Sequence, residues 1–267
     1  MFRFANENDR QGLIELWYDC FGDSEKYVSP FLDTFLKEDT AFVCEESGKI
    51  VSAVYALDCF IGDRKACYFY AVATDNNFRR RGLARKEIEF LIDYKSKKGA
   101  EIFLLTASSE KNNNYYKHLG FEDAFYCEKK TFERKESSVK ITEDFKEEEI
   151  ISLRNEVFKG NKFVSFPKEH ILFALKFSEK VFVWRENGEI NGYALTDGKT
   201  ITELCCKKDR DLFVSSVLRE ISLEKADVYV PSEPDKSCKI SRGMVYCFNN
   251  NLKEKTGEDV FLSLNLE

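Results

Sequence analysis

The chain has 267 residues, 43% of them hydrophobic and 33% charged, with a formal net charge of −6 at neutral pH. That balance belongs to a globular chain able to build one large core or two ordinary ones. No apolar run approaches the roughly 20 residues that a membrane helix needs, and the acidic surplus disfavours nucleic acid or an anionic membrane as the main partner. The opening stretch MFRFANENDRQG carries acidic and amide residues where a signal peptide would be apolar, so a cytoplasmic location is expected. The nine cysteines are scattered without a CxxC pair, and only His118 and His170 stand beside them as potential ligands. Reduced thiols used as small core residues are expected, with neither a disulfide framework nor a metal site.

In chain order, the pattern predicts a strand at 2–5 and helices at about 8–20 and 24–37. The first helix follows from Leu13, Ile14, Trp17 and Phe21, which fall on one face at helical spacing. Strands follow at 41–46, 49–59 and 64–74, then a long helix at 82–98, a strand at 101–107, a helix at 110–118 and closing strands at about 122–133. Hairpins in the middle and one helical crossover imply an α+β fold: a mixed, mainly antiparallel sheet flanked by helices. The polar stretch CEKKTFERKESS, from Cys127 to Ser138, carries the last strand into a connector.

The chain repeats itself beyond that connector. FVCEESGKIVSAVYAL, from Phe42, recurs as FVWRENGEINGYAL, from Phe182, each with a glycine in the turn (Gly48, Gly188). FRFANENDRQGLIELWYDCF is matched in the same order by VKITEDFKEEEIISLRNEVF, where Ile150, Ile151, Leu153, Val157 and Phe158 take the apolar positions. Two domains are therefore expected, at 1–134 and 139–267.

After the strand CYFYAVAT the chain turns through Asp75-Asn76-Asn77-Phe78 into RRRGLARKEIEFLIDYKSK. Gly82 and Ala84 let backbone amides approach a ligand closely at a helix start, where first-turn N–H groups lack intrahelical partners and the dipole favours negative charge. Arg79, Arg80 and Arg81 add charge-assisted contacts to phosphate oxygens. Taken alone, an arginine-rich turn with one glycine is a weak signal, and a solvated basic helix start is its commoner explanation. A second motif, EKNNNYYKHLGF, follows the next strand and brings Tyr116 toward the same end of the sheet through a crossover unit. The second half has no such loop: its ITELCCKKDRDLFVSSVL contains no glycine, so side chains would block a diphosphate.

At this point the sequence resembles the GCN5-related N-acetyltransferases (GNAT). Arg79, Gly82 and Ala84 fit that family's coenzyme motif, and Tyr116-Lys117-His118-Leu119-Gly120-Phe121 fits its later Tyr-x-x-Leu-Gly-Phe motif. The duplication is similar to the enhanced-intracellular-survival type, in which an active domain precedes a degenerate copy. The resemblance implies two tandem GNAT-like domains, with a catalytic, acetyl-CoA-binding domain at 1–134 and a second domain that lacks the coenzyme loop. It implies acetyl-CoA as co-substrate, an amine acceptor on a small molecule or a protein, and no metal. Backbone groups of Val72, Ala73 and Thr74 would hold the pantetheine arm, one N–H near Val72 would face the developing oxyanion, and residues 79–84, Leu83 among them, would hold the diphosphate. Tyr116 becomes the candidate general acid. No general base is evident; Asp58, Asp75 and Glu203 are positional candidates only. Larger members of that type carry a third, sterol-carrier-like domain, for which this chain is too short, and use their terminal carboxylate; transfer of that role to Glu267 stays open. Two other readings also stay open: an acyl-CoA-binding regulatory protein without turnover, and an aminoacyl transferase using charged tRNA, which the acidic balance disfavours. The strands at 2–5 and near 259–265 are candidate edges for homo-oligomer assembly.

Overall fold

The computed structural model describes residues 1–159, 163–231, 240–247 and 260–263. In chain order the first half runs β1 (Phe2–Phe4), α1 (Arg10–Phe21), α2 (Glu25–Phe35), β2 (Ala41–Glu46), β3 (Lys49–Ile61), β4 (Arg64–Thr74), α3 (Leu83–Lys97), β5 (Ile102–Leu105), α4 (Glu110–Lys117) and β6 (Glu122–Glu133). The second runs β7 (Ile141–Thr142), α5 (Glu147–Val157), β8 (Val164–Ser165), α6 (Lys168–Phe177), β9 (Lys180–Glu186), β10 (Glu189–Thr196), β11 (Ile201–Cys206), α7 (Arg210–Glu220), β12 (Lys225–Pro231) and β13 (Ile240–Cys247). No helix among the described residues is long and apolar enough to cross a membrane.

The chain divides into two compact units that are not contiguous in sequence. Unit 1 is Met1–Asp123 with residues 243–247; unit 2 is Ala124–Arg242 with residues 260–263, as far as these are described. Residues 124–134, grouped with the first domain by sequence, thus fall in unit 2, because β6 pairs along its length with β12 (Lys225↔Glu133 to Pro231↔Cys127).

In unit 1, β1 to β4 form an antiparallel run and β5 joins β4 in parallel. The neighbour on the far side of β5 is β13, antiparallel with Met244 opposite Leu105. Nothing in the local pattern of residues 101–107 announces a partner so distant in the chain. Helix α1 buries Leu13, Leu16 and Trp17, and Gly22 ends it at φ 79°, its N–H donating to the Tyr18 carbonyl. Helix α3 buries Ile88, Leu91 and Ile92 against the sheet, where Val54, Phe69 and Phe103 share their cluster.

From β7 on, unit 2 repeats the order strand, two helices, three strands, helix, strand, with the two-residue β8 added between its first two helices. Its β7, β9, β10 and β11 form an antiparallel sheet. Phe132, Phe182, Trp184, Phe213 and Val228 share one core. Both hairpins turn on two residues of positive φ, Ser47 (52°) with Gly48 (79°) and Asn187 (53°) with Gly188 (84°). This is the primed turn whose twist matches that of the flanking strands, so the repeat read from sequence is a repeat of backbone geometry. Of the closing segment near 259–265, residues 260–263 are described and are buried, with Phe261 bridged in parallel to Phe163, so they do not form an exposed edge. Strand β1 does lie at the end of its sheet.

Candidate functional site

The site begins where two parallel strands part. Pairing of β4 with β5 runs from Ala66↔Ile102 to Phe69↔Leu105 and stops there, while β4 continues to Thr74. On the other flank the register with β3 slips: Tyr55 faces Tyr70, but Ala53 faces Ala73. Ala71 and Val72 therefore stand opposite Val54 alone, and Ala71 takes φ 46° to make the bulge. A bulge bends its strand and sharpens the twist. The result is a strand end at 70–74 that has no ladder partner from β5, with backbone groups open to an extended ligand chain. Thr74 O already accepts from Arg79 Nε at 3.1 Å and from the Cys20 thiol at 3.6 Å.

The turn that follows is built from backbone outward. Asp75 is buried; its carboxylate accepts from the Asn77 N–H at 2.8 Å and pairs with Lys49 Nζ at 2.6 Å. The Lys49 ammonium, then that backbone hydrogen bond, hold the Asp75 carboxyl below its usual range. Asp75 is thus a turn-capping anion, not a base awaiting a proton. Arg80 takes φ 65° and Gly82 φ 73°, and Gly82 is the N-cap of α3 without any side-chain cap. A Cβ built on Gly82 would meet nothing within 4 Å, so the space over the helix start is open as well as glycine-lined. Arg79, Arg80 and Arg81 are all exposed; the Arg81 guanidinium lies over the Phe78 ring at 4.6 Å and 3.4 Å from Glu46. Leu83 packs with Cys44 and Val51 and so anchors the turn to the sheet.

Tyr116 lies on α4 and is 7% exposed. It shares a cluster with Ile88 of α3 and Leu105 of β5, against which Val72 packs, so the strand end, the long helix and the tyrosine meet. Burial, and to a lesser degree Tyr115, push its phenol well above the usual value, so the hydroxyl keeps its proton at neutral pH. Gly120 of the same motif takes φ 90°, and a Cβ there would stand 3.1 Å from the Tyr246 ring of β13. That glycine answers both a backbone and a packing demand. His118 is exposed, its Nδ1 at 2.6 Å from the Asn114 carbonyl.

Other candidates are spoken for elsewhere. Asp58 lies 3.3 Å from Lys95 and 3.8 Å from Lys65. Glu203, on β11, is 4% exposed and paired with Arg154 Nε at 3.2 Å inside unit 2. His170 is buried and stacks on Phe166 at 4.0 Å. Glu267 lies outside the described residues. Sequence reading passed over Glu87, which is 0% exposed on the sheet-facing side of α3, with Oε2 2.5 Å from Ser52 Oγ. Its signal was present: Leu83, Glu87 and Leu91 recur at one-turn spacing, placing a carboxyl on an apolar face.

Residues 1–124 match the family described as an acetyltransferase (GNAT) domain. No curated protein matches the chain by sequence. Among solved structures, a probable N-acyltransferase from Enterococcus faecalis superposes with a TM-score of 0.73 at 12% identity, covering 92% of this chain and 72% of its own. A putative acetyltransferase from Pyrococcus horikoshii covers 99% and 94% at 12% identity and a TM-score of 0.65. Eis1 from Mycobacterium abscessus covers 92% and 73% at 11% identity and a TM-score of 0.64. At these identities the likeness is one of fold, and the fold is that of the GNAT acetyltransferases.

Proposed function

We propose that the chain is an acetyl-CoA-dependent N-acetyltransferase with one coenzyme site, in unit 1, and that unit 2 is a degenerate copy of the same domain. The observation that carries this reading is the end of β4, unpaired on its β5 side, leading into the open, Gly82-capped start of α3. Backbone groups of Val72, Ala73 and Thr74 suit an extended amide-bearing arm. The first-turn amides from Leu83 on, with Arg79, Arg80 and Arg81, suit a diphosphate. Bound acetyl-CoA supplies a thioester whose carbonyl is open to attack by an amine. The Val72 N–H is the donor nearest in character to an oxyanion hole, and Tyr116 holds a proton on its hydroxyl for the departing thiolate. The repeated element order and the structural likeness to Eis1 over 92% of the chain support a tandem arrangement of the enhanced-intracellular-survival type.

Calorimetry with acetyl-CoA on the full chain tests the binding half of this reading, with one site per chain as the expected outcome. A free-thiol assay across polyamines, aminoglycosides and peptides tests the transfer half. Binding without thiol release on any amine leaves the chain an acyl-CoA sensor instead.

A further inference from the structure

The apolar face of α3 carries two ionisable residues that meet different fates. Lys95 is answered by Asp58 at 3.3 Å and Asp39 at 3.7 Å. Glu87 has no cation beside it among the described residues; what it meets is a hydroxyl, Ser52 Oγ, at 2.5 Å. Ser52 stands on β3 directly opposite Thr74 of β4. Its Oγ also lies 2.9 Å from the Ala73 carbonyl and 3.0 Å from Thr74 Oγ1. One buried chain of groups therefore runs from the second turn of α3 to the last two residues of β4.

The hydrogens in that chain can be assigned. The single Ser52 proton has two acceptors in reach, the Ala73 carbonyl and Glu87 Oε2; when Glu87 is protonated, the Ser52 O–H donates to the carbonyl, which can only accept. The Ser52 oxygen is then left to accept, from the Thr74 hydroxyl and from Glu87 if that carboxyl carries a proton. Burial without a countercharge supplies the condition: it pushes the Glu87 carboxyl up to about 8, against weaker opposing pulls from Ser52 and the Cys44 amide. The other ionisable groups facing Glu87 are the Cys44 thiol on β2 and the Tyr115 phenol on α4, both raised by burial from values already above that of Glu87. Glu87 is the first of them to ionise as pH rises.

We propose that Glu87 is a positioning residue, fixing the coenzyme-binding end of β4 against the start of α3 through Ser52; this rests on the coenzyme reading of that site. The strand end and the Gly82 turn take different parts of one ligand, so their spacing must be held from below. Once ionised, Glu87 can only accept. The Ser52 proton turns to it, the Ala73 carbonyl loses that side-chain donor, and the strand end, still paired with β3, is held less tightly.

The sign for stability is the same. A carboxyl raised in the folded chain contributes its full share below its unfolded value, and that share is lost as pH rises toward about 8.

The test is calorimetry of acetyl-CoA on the full chain at about pH 7 and about pH 9, bracketing that ionisation, with thermal melting of each variant. For the wild type, affinity is expected to fall roughly five- to tenfold between the two. Glu87→Gln keeps an N–H for Ser52, so it binds within about twofold of wild type at the lower pH and loses the alkaline fall. Glu87→Leu completes the apolar face, melts no earlier than wild type, and binds about tenfold more weakly at both pH values, an effect that a purely structural role would not produce. Wild-type affinity in Glu87→Leu at both pH values overturns the inference alone. If that variant melts early, an alkaline fall that persists in Glu87→Gln overturns it. A wild type that binds no acetyl-CoA at any pH sinks the coenzyme reading itself, and this inference with it.

Discussion

The two units each pass from a strand into a helix at the place where unit 1 has its coenzyme turn, and the two passages differ in instructive ways. In unit 1 the chain leaves β4, spends residues 75–82 in a folded turn, and enters α3 after Gly82 at φ 73°. In unit 2 only residues 207–209 separate β11 from α7, and the residue before the helix is Asp209 at φ 46°, ψ 43°. Both helices thus begin after a left-handed residue. That backbone device alone does not make an anion site. Asp209 brings its own carboxylate to the helix start, where the dipole is already answered. The lysines beside it are engaged, Lys207 with Glu156 at 2.8 Å and Lys208 with Glu186 at 2.5 Å. What separates the turns is the length of the folded segment, the carboxylate that Asp209 sets at the residue before the helix, and the open space over a residue without a side chain.

The sharpest way to break the contrast is to ask whether the unit 1 turn serves chemistry or only binding. Tyr116→Phe keeps the ring contacts with Tyr115 and Phe121 and removes only the proton-bearing oxygen. Turnover is expected to fall by roughly 10²–10⁴-fold with acetyl-CoA KM little changed; near-normal kcat in a steady-state thiol assay removes Tyr116 from the mechanism.

The next largest effect comes from writing unit 2's feature into unit 1. Gly82→Asp installs a carboxylate at the helix start. Strain there is about 1 kcal/mol, a loss of only a few degrees in Tm, whereas acetyl-CoA affinity should drop by about a hundredfold or more. Unaltered binding by calorimetry would mean that the diphosphate sits elsewhere.

The reverse change is expected to do least. Asp209→Gly relieves a left-handed aspartate but loses a favourable helix-start charge and frees the unfolded chain, leaving stability within about 0.5 kcal/mol. Acetyl-CoA stoichiometry should remain at one site per chain, because residues 207–209 supply neither the longer turn nor the arginines. A second site appearing on titration would show that glycine alone suffices.

Much of this was legible in the sequence because it is local. The hairpin turns at Ser47-Gly48 and Asn187-Gly188, the span of β4 from 64 to 74 and the helix start after Gly82 follow from side-chain period and backbone freedom within a few residues. So did the loss of the loop in unit 2, since glycine is either present or absent. Glu203 shows the limit of that reasoning: a charged residue on a strand reads as solvated, and only the packing of α5 against β11 brings Arg154 to it. Strand partners were also beyond reach. That β13 lies beside β5, and that β6 turns away to β12, depends on pairings between residues more than ninety positions apart (Lys225↔Glu133, Met244↔Leu105), whose hydrogen bonds leave no mark on local composition. The bulge at Ala71 belongs with them, being set by the register of β3 against β4. The sequence by itself determined which residues can receive a diphosphate. The tertiary structure decided that the strand beside them parts from β5 before its end, and that a buried carboxyl, without a countercharge among the described residues, stands beneath it, because pairing and burial are properties of neighbours that the chain brings together only on folding.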